Sequence, residues 1–182
     1  MAPLSFVPNG QLTPDQKLSG RRLQNECFSS VSAEVLERCF FAEPFGQVFA
    51  SENGTIVGQS KLFTRKVPFE GREVLLGGIG GVCVTASARN RGTATQMTSR
   101  CIEILKETRC DVACLTANIK DFPEGLYYRL GFRAMKREVS FEDFDGRIRH
   151  EGSEMFLPVC SNQLFELIMK SDKTLHMGRG LW

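Results

Sequence analysis

The chain has 182 residues, of which 42% are hydrophobic, and a chain of this size can bury a hydrophobic core of its own. We therefore expect a single domain over residues 1–182. The 23 basic and 21 acidic residues leave a formal net charge of +2, which excludes the broad basic surface of nucleic-acid-binding proteins.

Cysteine and histidine usage narrows the class of protein further. The seven cysteines are scattered and lie mostly in apolar surroundings, which is typical of reduced core residues in an intracellular protein. Because the chain has no C-x-x-C pair and only two histidines, we expect no metal site. It has neither a signal-peptide pattern nor an apolar run of about 18 residues, so we expect no membrane partner and a cytoplasmic location.

The N-terminal part predicts two helices. Thr13–Gln16 combines a hydroxyl N-cap, a proline in the first turn and a glutamine three residues after the cap, which is the pattern of a capping box. This first helix should run to about Phe28. A second short helix should begin near Ser32, because apolar residues follow it at helical spacing.

The next segment predicts an antiparallel meander of three strands. The strands Gln47–Ser51 and Ile56–Lys66 flank Asn53-Gly54, a pair that readily supplies the positive φ angles of a tight turn. Gly71 marks a second reversal before the strand Glu73–Thr85.

After the meander, helices and strands alternate. Apolar spacing predicts a helix over Thr93–Glu107, a buried strand over Val112–Ala117, a short helix over Glu124–Leu130 and a strand over Arg133–Phe141. A helix between two strands implies a locally parallel crossover.

The C-terminal part predicts a last strand, Glu154–Pro158, and a helical segment, Gln163–Lys170. The chain ends in Met177–Trp182, where two glycines precede a leucine and the only tryptophan. Because last residues are often disordered, a frayed tail is one interpretation of this ending.

The strand, loop and helix start in Val82–Ala94 form the first motif that indicates chemistry. A loop before a helix turns unpaired main-chain N–H groups and the positive helix end toward one point, which suits a pyrophosphate. A helix that begins with small residues and binds nothing is the alternative. The motif resembles the R/Q-x-x-G-x-G/A signature of the GNAT acetyltransferase superfamily, matched here by Arg89, Asn90, Arg91, Gly92, Thr93 and Ala94.

A second stretch strengthens this resemblance. Leu126–Phe132 is similar to the "LYxxxGF" segment of the same superfamily, in which the tyrosine lies near the cofactor sulfur and can protonate the leaving thiolate. Tyr127 is the matching residue. Without the first motif, a tyrosine on a short helix is more often a core or surface residue.

The resemblance implies a fold class and a cofactor. The expected fold is α/β (α+β): the GNAT fold, a mixed central sheet of about six to seven strands flanked by helices, with a V-shaped cofactor cleft between the fourth and fifth strands. The expected cofactor is acetyl-CoA. Main-chain groups at Val82, Cys83 and Val84 would hold its pantetheine arm, and the strand ending near Asn118 would diverge to form the cleft. A homodimer is implied by family likeness alone.

The chain end narrows the resemblance. Gly77–Val82, Phe156–Val159 and the final Gly-x-Gly-Leu-Trp look similar to the aminoglycoside 2′-N-acetyltransferases. In that family the α-carboxylate of the terminal tryptophan projects into the active site and contacts the substrate. Trp182 is the matching residue.

Three regions depart from that family. Gly80 stands where the family has a glutamate that draws a proton from the attacking amine, Gly180 stands where it has an aspartate, and Ser29-Ser30 lacks the expected acids. Because polycationic aminoglycosides are recognised largely through carboxylates, we expect a substrate with fewer ammonium groups, such as a kasugamycin-like aminoglycoside. The acids that could still serve are Glu26, Glu34, Asp121, Glu124, Glu151 and the terminal carboxylate.

We therefore expect an acetyl-CoA-dependent N-acetyltransferase that acetylates the 2′-amine of an aminoglycoside by direct transfer and so confers antibiotic resistance. Two other functions remain open: acetylation of a protein or peptide amine, and a non-catalytic acyl-CoA-binding sensor. A covalent route through Cys83 or Cys114 is the competing mechanism, although no histidine near either residue in sequence offers an activating base.

Overall fold

The computed structural model describes residues 2–117 and 125–182. The helices are α1 (Pro14–Cys27), α2 (Ala33–Cys39), α3 (Thr93–Glu107), α4 (Leu126–Arg129) and α5 (Asn162–Lys170). The strands are β1 (Leu4–Pro8), β2 (Gly46–Glu52), β3 (Thr55–Phe69), β4 (Arg72–Val84), β5 (Val112–Thr116), β6 (Arg133–Ala134), β7 (Val139–Glu142), β8 (Ile148–Glu151), β9 (Glu154–Pro158) and β10 (His176–Arg179). Among these described elements, no helix has the length and apolar character needed to cross a membrane.

Both N-terminal helices begin at the predicted caps. The hydroxyl of Thr13 accepts the N–H of Gln16 at 3.2 Å, and the Gln16 side chain accepts the N–H of Thr13 at 2.9 Å, which completes the capping box of α1. The hydroxyl of Ser32 accepts the N–H of Val35 at 3.3 Å and caps α2. These caps confirm the two helix starts.

The meander and its two reversals are also confirmed. β2 and β3 pair antiparallel, and the turn between them holds Asn53 at φ 49° and Gly54 at φ 78°. β3 and β4 pair antiparallel, and Glu70 and Gly71 at the second turn have φ angles of 47° and 73°. The left-handed conformation suits asparagine and glycine, so these turns are encoded locally.

Seven strands of the described chain form one mixed sheet in the order β1-β2-β3-β4-β5-β9-β6, which is the fold class expected from the sequence. β4 and β5 are the parallel pair, and the other neighbours are antiparallel. The parallel pairing covers only Leu76–Gly78 and Val112–Cys114. Beyond it the two strands line opposite sides of a cavity, which is the cleft expected between the fourth and fifth strands.

The prediction of one strand over Arg133–Phe141 is wrong. β6 pairs with β9 in the seven-stranded sheet, whereas β7 pairs with β8 and β10 in a separate three-stranded sheet. Met135 still donates its N–H to the carbonyl of Glu154, and the chain then leaves the first sheet. Apolar residues on both sides of this crossing are buried, so the sequence pattern alone does not mark the break.

The second sheet itself was not expected, because two of its strands lack an apolar pattern. β8 is polar and mostly exposed, and β10 contains a glycine. The turn between β7 and β8 is held by the buried carboxylate of Asp143, which accepts the N–H groups of Asp145 and Arg147 and pairs with Arg149 at 2.8 Å. Hydrogen bonds to Arg147, Arg149 and Asp145 lower the pKa of Asp143, so the turn is held by a charged acceptor.

The seven-stranded sheet separates two hydrophobic clusters. Ala113 and Leu115 of β5 belong to the cluster that includes α3, while the alternating residues Val112 and Cys114 belong to the cluster that includes α5 and the chain end. Trp182 is only 7% exposed and lies in the second cluster. The interpretation of the ending as a frayed tail is therefore wrong.

Candidate active site

The loop between β4 and α3 has the main-chain geometry of an anion site. Gly92 caps α3 in the left-handed conformation at φ 79°, and no side chain caps this helix. The first-turn N–H groups are therefore left for an external acceptor at the positive end of the helix. A β-carbon at Gly92 would meet nothing closer than Gln96 Nε2 at 3.8 Å, so the space at the turn is open. This arrangement fits a pyrophosphate.

Side chains of the same loop are bound to the protein. Arg89 donates its Nε–H to the carbonyl of Val84 at 3.0 Å, and Arg91 lies 3.5 Å from the carboxylate of Glu52. Asn90 is left-handed at φ 61°, and Thr93 is buried. Arg89 and Arg91 thus hold the shape of the loop, and the main chain from Asn90 to Ala94 offers the donors for an anion.

β4 carries a bulge beside the cleft. Gln59 pairs with Cys83 and Lys61 pairs with Gly80, so two β4 residues, Gly81 and Val82, lie opposite a single residue of β3. Gly81 has φ 58°, which a glycine adopts without strain. Val82 has a register partner in neither β3 nor β5, and it lines the cleft. Its peptide groups are therefore available to a ligand.

The other two residues expected at the pantetheine arm are less accessible. Cys83 is 1% exposed, and its main chain pairs with Gln59 of β3. Val84 is buried, and its carbonyl accepts from Arg89. The geometry therefore favours Val82 over Cys83 and Val84 as the main-chain contact for a cofactor.

The cleft has a volume of about 500 Å³ and is lined mainly by apolar and aromatic side chains. Lys61 is the only charged residue among its described lining residues. They come from β3, β4, β5, β9, the α1–α2 region, α4 and the chain end, and include Gln24, Phe28, Val31, Leu36, Phe40, Lys61, Phe63, Ile79, Gly80, Val82, Thr116, Tyr127, Tyr128, Met155 and Trp182. Such a cleft can hold the thioester arm of acetyl-CoA and a small amine.

Tyr127 lies on α4 and lines this cleft, as its place in the second motif predicted. Its ring packs edge-on against Phe132 at a centroid distance of 6.0 Å. Burial raises the pKa of Tyr127 to about 12, with smaller contributions from the thiols of Cys101 and Cys83. The phenol is thus protonated at neutral pH and can act as a hydrogen-bond donor. Asn118, the other residue expected at the cofactor, lies outside the described residues.

Trp182 occupies the space that a side chain at residue 80 would need. A β-carbon at Gly80 would lie 2.5 Å from the main-chain carbonyl carbon of Trp182, and one at Gly78 would overlap its indole ring. Phe63 stacks on the indole at 5.8 Å with an interplanar angle of 18°. A glutamate at residue 80 would therefore displace the chain end, which is the physical reason for the first departure from the resembled family.

The second departure, Gly180, has a similar explanation. Gly180 has φ 67°, and a β-carbon there would lie 3.2 Å from the ring of Phe41. Arg65 donates to the carbonyl of Gly180 at 3.0 Å and lies over the Trp182 ring at 4.9 Å. The N–H of Leu181 donates to the carbonyl of Cys39 at 2.6 Å. The chain end is thus tied to β3 and to the end of α2.

Neither candidate cysteine has the surroundings of a nucleophile. Cys83 and Cys114 are 1% and 0% exposed, and burial raises the pKa of both thiols. His150 lies 3.9 Å from Glu138, and His176 contacts Ser140 of β7. These surroundings favour direct transfer over a covalent cysteine intermediate.

Three of the acids considered as possible bases have structural partners. Glu26 accepts the N–H of Ala86 at 2.9 Å, and Glu34 pairs with Arg38 at 3.2 Å. Glu151 accepts the N–H groups of the two residues that follow it, each at 2.9 Å. Asp121 and Glu124 lie outside the described residues.

Sequence analysis missed one buried carboxylate. Glu154 is 1% exposed on β9 and bonds to the hydroxyl of Thr116, which lines the cleft. The signal that could have found it was a glutamate at the start of an apolar predicted strand, because a charged residue in a buried strand is uncommon.

Solved structures with the same fold are distantly related to this chain. Eis1 from Mycobacterium abscessus is 15% identical with a TM-score of 0.60, over 77% of this chain and 33% of that one. An acyl-CoA N-acyltransferase from Pseudomonas aeruginosa is 19% identical with a TM-score of 0.58, over 86% and 99%. A GNAT family acetyltransferase from Brucella melitensis, solved with acetyl-CoA, is 17% identical with a TM-score of 0.52, over 74% and 85%.

The chain spans only a third of the length of Eis1, and identities this low establish the fold alone. No curated protein matches the chain. A family model for the acetyltransferase (GNAT) domain matches residues 12–135, which is more than half of the chain. The chain therefore belongs to the GNAT acetyltransferases, a family that uses acetyl-CoA as its acyl donor.

Proposed function

We propose that this GNAT acetyltransferase acetylates the 2′-amino group of an aminoglycoside that carries few ammonium groups, such as kasugamycin, and so confers resistance to it. The observation that carries the proposal is the docking of the chain end, which places Trp182 in the cleft directly over Gly78 and Gly80 of β4. A tryptophan at this place agrees with the resemblance to the aminoglycoside 2′-N-acetyltransferases.

The charge of the cleft supports a substrate with few ammonium groups. Lys61 is the only charged side chain among the described lining residues, and it forms no ion pair with another described residue. Burial lowers the pKa of Lys61, which is the expected effect of a poorly hydrated cation. A polycation would enter this cleft without carboxylate partners and beside a like charge, so its binding is disfavoured.

The residues of the cleft divide the work of a direct transfer. When bound, acetyl-CoA supplies an acetyl group activated as a thioester. The first-turn N–H groups of α3 hold the pyrophosphate, and the main chain of Val82 holds the arm and polarises the carbonyl. Tyr127 donates its hydroxyl proton toward the sulfur that departs. A main-chain carboxylate at Trp182 contacts the substrate ammonium group.

The substrate class is tested by measuring the release of free thiol from acetyl-CoA with kasugamycin and with polycationic 2-deoxystreptamine aminoglycosides. We expect turnover with kasugamycin and at least about 10-fold lower kcat/KM with the polycations, about 1.4 kcal/mol in transition-state binding. NMR of the product should place the acetyl group on the 2′-nitrogen. Failure to acetylate any aminoglycoside would overturn the proposed substrate.

Two other outcomes would point to the other functions. Turnover with peptide amines but not with aminoglycosides would indicate a protein or peptide acetyltransferase. Tight binding of acetyl-CoA in calorimetry without turnover of either class of amine would indicate an acyl-CoA sensor.

The role of Trp182 is tested by appending residues after it, which replaces its carboxylate with a neutral peptide carbonyl. We expect kcat/KM for the amine to fall by at least about 10-fold, as for a lost charge-assisted contact, while the affinity for acetyl-CoA is kept. Trp182→Phe is the matched control, because it alters the ring and keeps the carboxylate. Full activity of the extended chain would rule out the carboxylate contact.

A further inference from the structure

The pair formed by Glu154 and Thr116 lies beside the cleft and has no structural duty that requires an acid. The two residues are register partners on β9 and β5. The hydroxyl of Thr116 donates to Glu154 Oε1 at 2.6 Å. Glu154 Oε2 is fully buried and has no hydrogen-bond partner among the described residues.

Burial of this carboxyl is costly unless its proton or a ligand compensates for it. No lysine or arginine of the described chain forms an ion pair with Glu154, and an unpaired buried carboxylate is among the least favourable groups in a protein interior. A hydrophobic residue at this position would pack without that cost. The retention of a glutamate therefore indicates that its ability to bind and release a proton is used.

The groups that face Glu154 favour proton uptake at neutral pH. Burial raises the pKa of Glu154 to about 7, the charge of Glu151 raises it further, and the hydrogen bond from Thr116 opposes the rise. The thiol of Cys114 on β5 is the other titratable neighbour, and it interacts with Arg65 of β3 and with the Trp182 indole. A proton acceptor works best when its pKa is close to the operating pH.

Thr116 connects this buried acid to the place where the amine must lie. Its side chain lines the cleft from the β5 side, whereas Gly80 and Trp182 line it from the β4 side. Glu154 itself does not line the cleft and is 1% exposed, so it can reach a ligand only through Thr116. The hydroxyl can accept one hydrogen bond from a ligand while it donates its own proton to Glu154.

We propose that Glu154 accepts, through the Thr116 hydroxyl, the proton that the substrate ammonium group must lose before it attacks the thioester. One N–H proton moves from the ammonium group to the Thr116 oxygen, while the Thr116 hydroxyl proton moves to Glu154 Oε1. The products of this step are a neutral amine and a neutral carboxylic acid, and no further reactant is needed. The inference rests on the proposed N-acetyltransferase function and supplies the base that Gly80 cannot provide.

The protonation of Glu154 can be measured on the protein without acetyl-CoA. In infrared difference spectra taken between pH 5 and 9, with glutamate labelled by ¹³C at the side-chain carboxyl, we expect a protonated carboxyl band that disappears with a midpoint near pH 7. The band should be absent in Glu154→Gln and shifted in Thr116→Val. A wild-type spectrum in which every glutamate is already ionised at pH 5 would overturn the inference.

The second readout is the pH profile of kcat/KM with any amine that the wild type acetylates. We expect Glu154→Gln to lower kcat/KM by about 10²-fold at pH 7 and to remove the acid limb of the profile. Thr116→Ser keeps the hydroxyl and should retain most of the rate, whereas Thr116→Val should resemble Glu154→Gln. Glu73→Gln is the control, since Glu73 is an exposed β4 residue paired with Lys66 at 2.7 Å.

The outcomes separate this inference from the proposed substrate. An unchanged pH profile in Glu154→Gln, with an enzyme that acetylates aminoglycosides, overturns the proton route alone. A lost acid limb, measured with an amine of another class, supports the proton route and overturns the aminoglycoside substrate. The absence of turnover with every amine tested overturns both.

Discussion

Tyr127 is placed so that its hydroxyl can be removed without disturbing the packing of its ring. The ring lines the cleft and packs edge-on against Phe132. We expect Tyr127→Phe to lower kcat by about 10²-fold, because the departing sulfur loses its proton donor. The affinity for acetyl-CoA, measured by calorimetry, should stay within about 2-fold of the wild-type value, since main-chain groups hold the cofactor. An unchanged kcat would refute the acid role.

The pKa of Glu154 makes a prediction for stability as well as for catalysis. A glutamate ionises near 4.5 in the unfolded chain, whereas the folded protein holds this proton to about pH 7. The folded state therefore binds more protons between these values, so the free energy of unfolding falls as the pH rises from about 4.5 to 7. Below pH 4.5 this contribution is fully present, and above pH 7 it is lost.

Glu154→Gln removes that dependence, because the amide does not ionise. Urea denaturation should find the variant more stable than wild type above pH 7, by an amount on the order of 3 kcal/mol, and the difference should shrink toward pH 4.5. The exposed Glu73→Gln variant should be close to wild type at every pH. A stability difference that does not vary with pH would contradict the raised pKa.

Among the elements, the start of α3 carries the cofactor site, and its key residue can be tested against a matched turn. Gly92 and Gly54 have φ angles of 79° and 78°; a β-carbon added at Gly92 would meet nothing closer than 3.8 Å, and one added at Gly54 would meet nothing within 4 Å. Alanine at either position costs about 1–2 kcal/mol of backbone strain. The two substitutions should therefore lower the free energy of unfolding similarly.

Only the substitution in the cofactor loop should affect the ligand. We expect Gly92→Ala to weaken acetyl-CoA binding by at least about 10-fold in calorimetry, because the first-turn N–H groups shift and a methyl group enters the anion site. Gly54→Ala, at the β2–β3 turn, should bind acetyl-CoA like wild type. Equal affinities of both variants would argue against an anion site at the α3 N-terminus.

Elements with strong local signals were predicted with nearly their observed bounds. The capping box at Thr13, the Asn53-Gly54 turn and the helix start after Gly92 each depend on residues adjacent in the chain. The two strands within Arg133–Phe141 were not separated, because membership of one sheet or the other depends on partners in β9 and β10. A sequence pattern reports which residues are buried, and it does not report which partner buries them.

At the scale of the whole molecule, Trp182 joins the chain end to the central sheet. Its ring contacts Phe63 and Arg65 of β3, and the residues before it bond to α2 and β7. We expect Trp182→Ala to lower the free energy of unfolding by about 3–5 kcal/mol, as for other buried large-to-small substitutions. Urea denaturation followed by circular dichroism is the suitable measurement, because the variant lacks the only tryptophan.

Trp182→Phe is the control for this substitution. Phenylalanine keeps an aromatic ring against Phe63 and should restore much of the lost free energy of unfolding. Unfolding of Trp182→Ala at the wild-type urea concentration would mean that the chain end contributes nothing to the core.

The sequence by itself determined the fold family, the acetyl-CoA loop and the position of Tyr127. These features depend on local signals: caps, turn residues, and main-chain N–H groups exposed where a strand gives way to a helix. Only the tertiary structure decided that Trp182 fills the space above Gly80 and that Glu154 meets Thr116 beside the cleft. The physical reason is that both contacts join residues far apart in the chain, and only the pairing of strands brings them together.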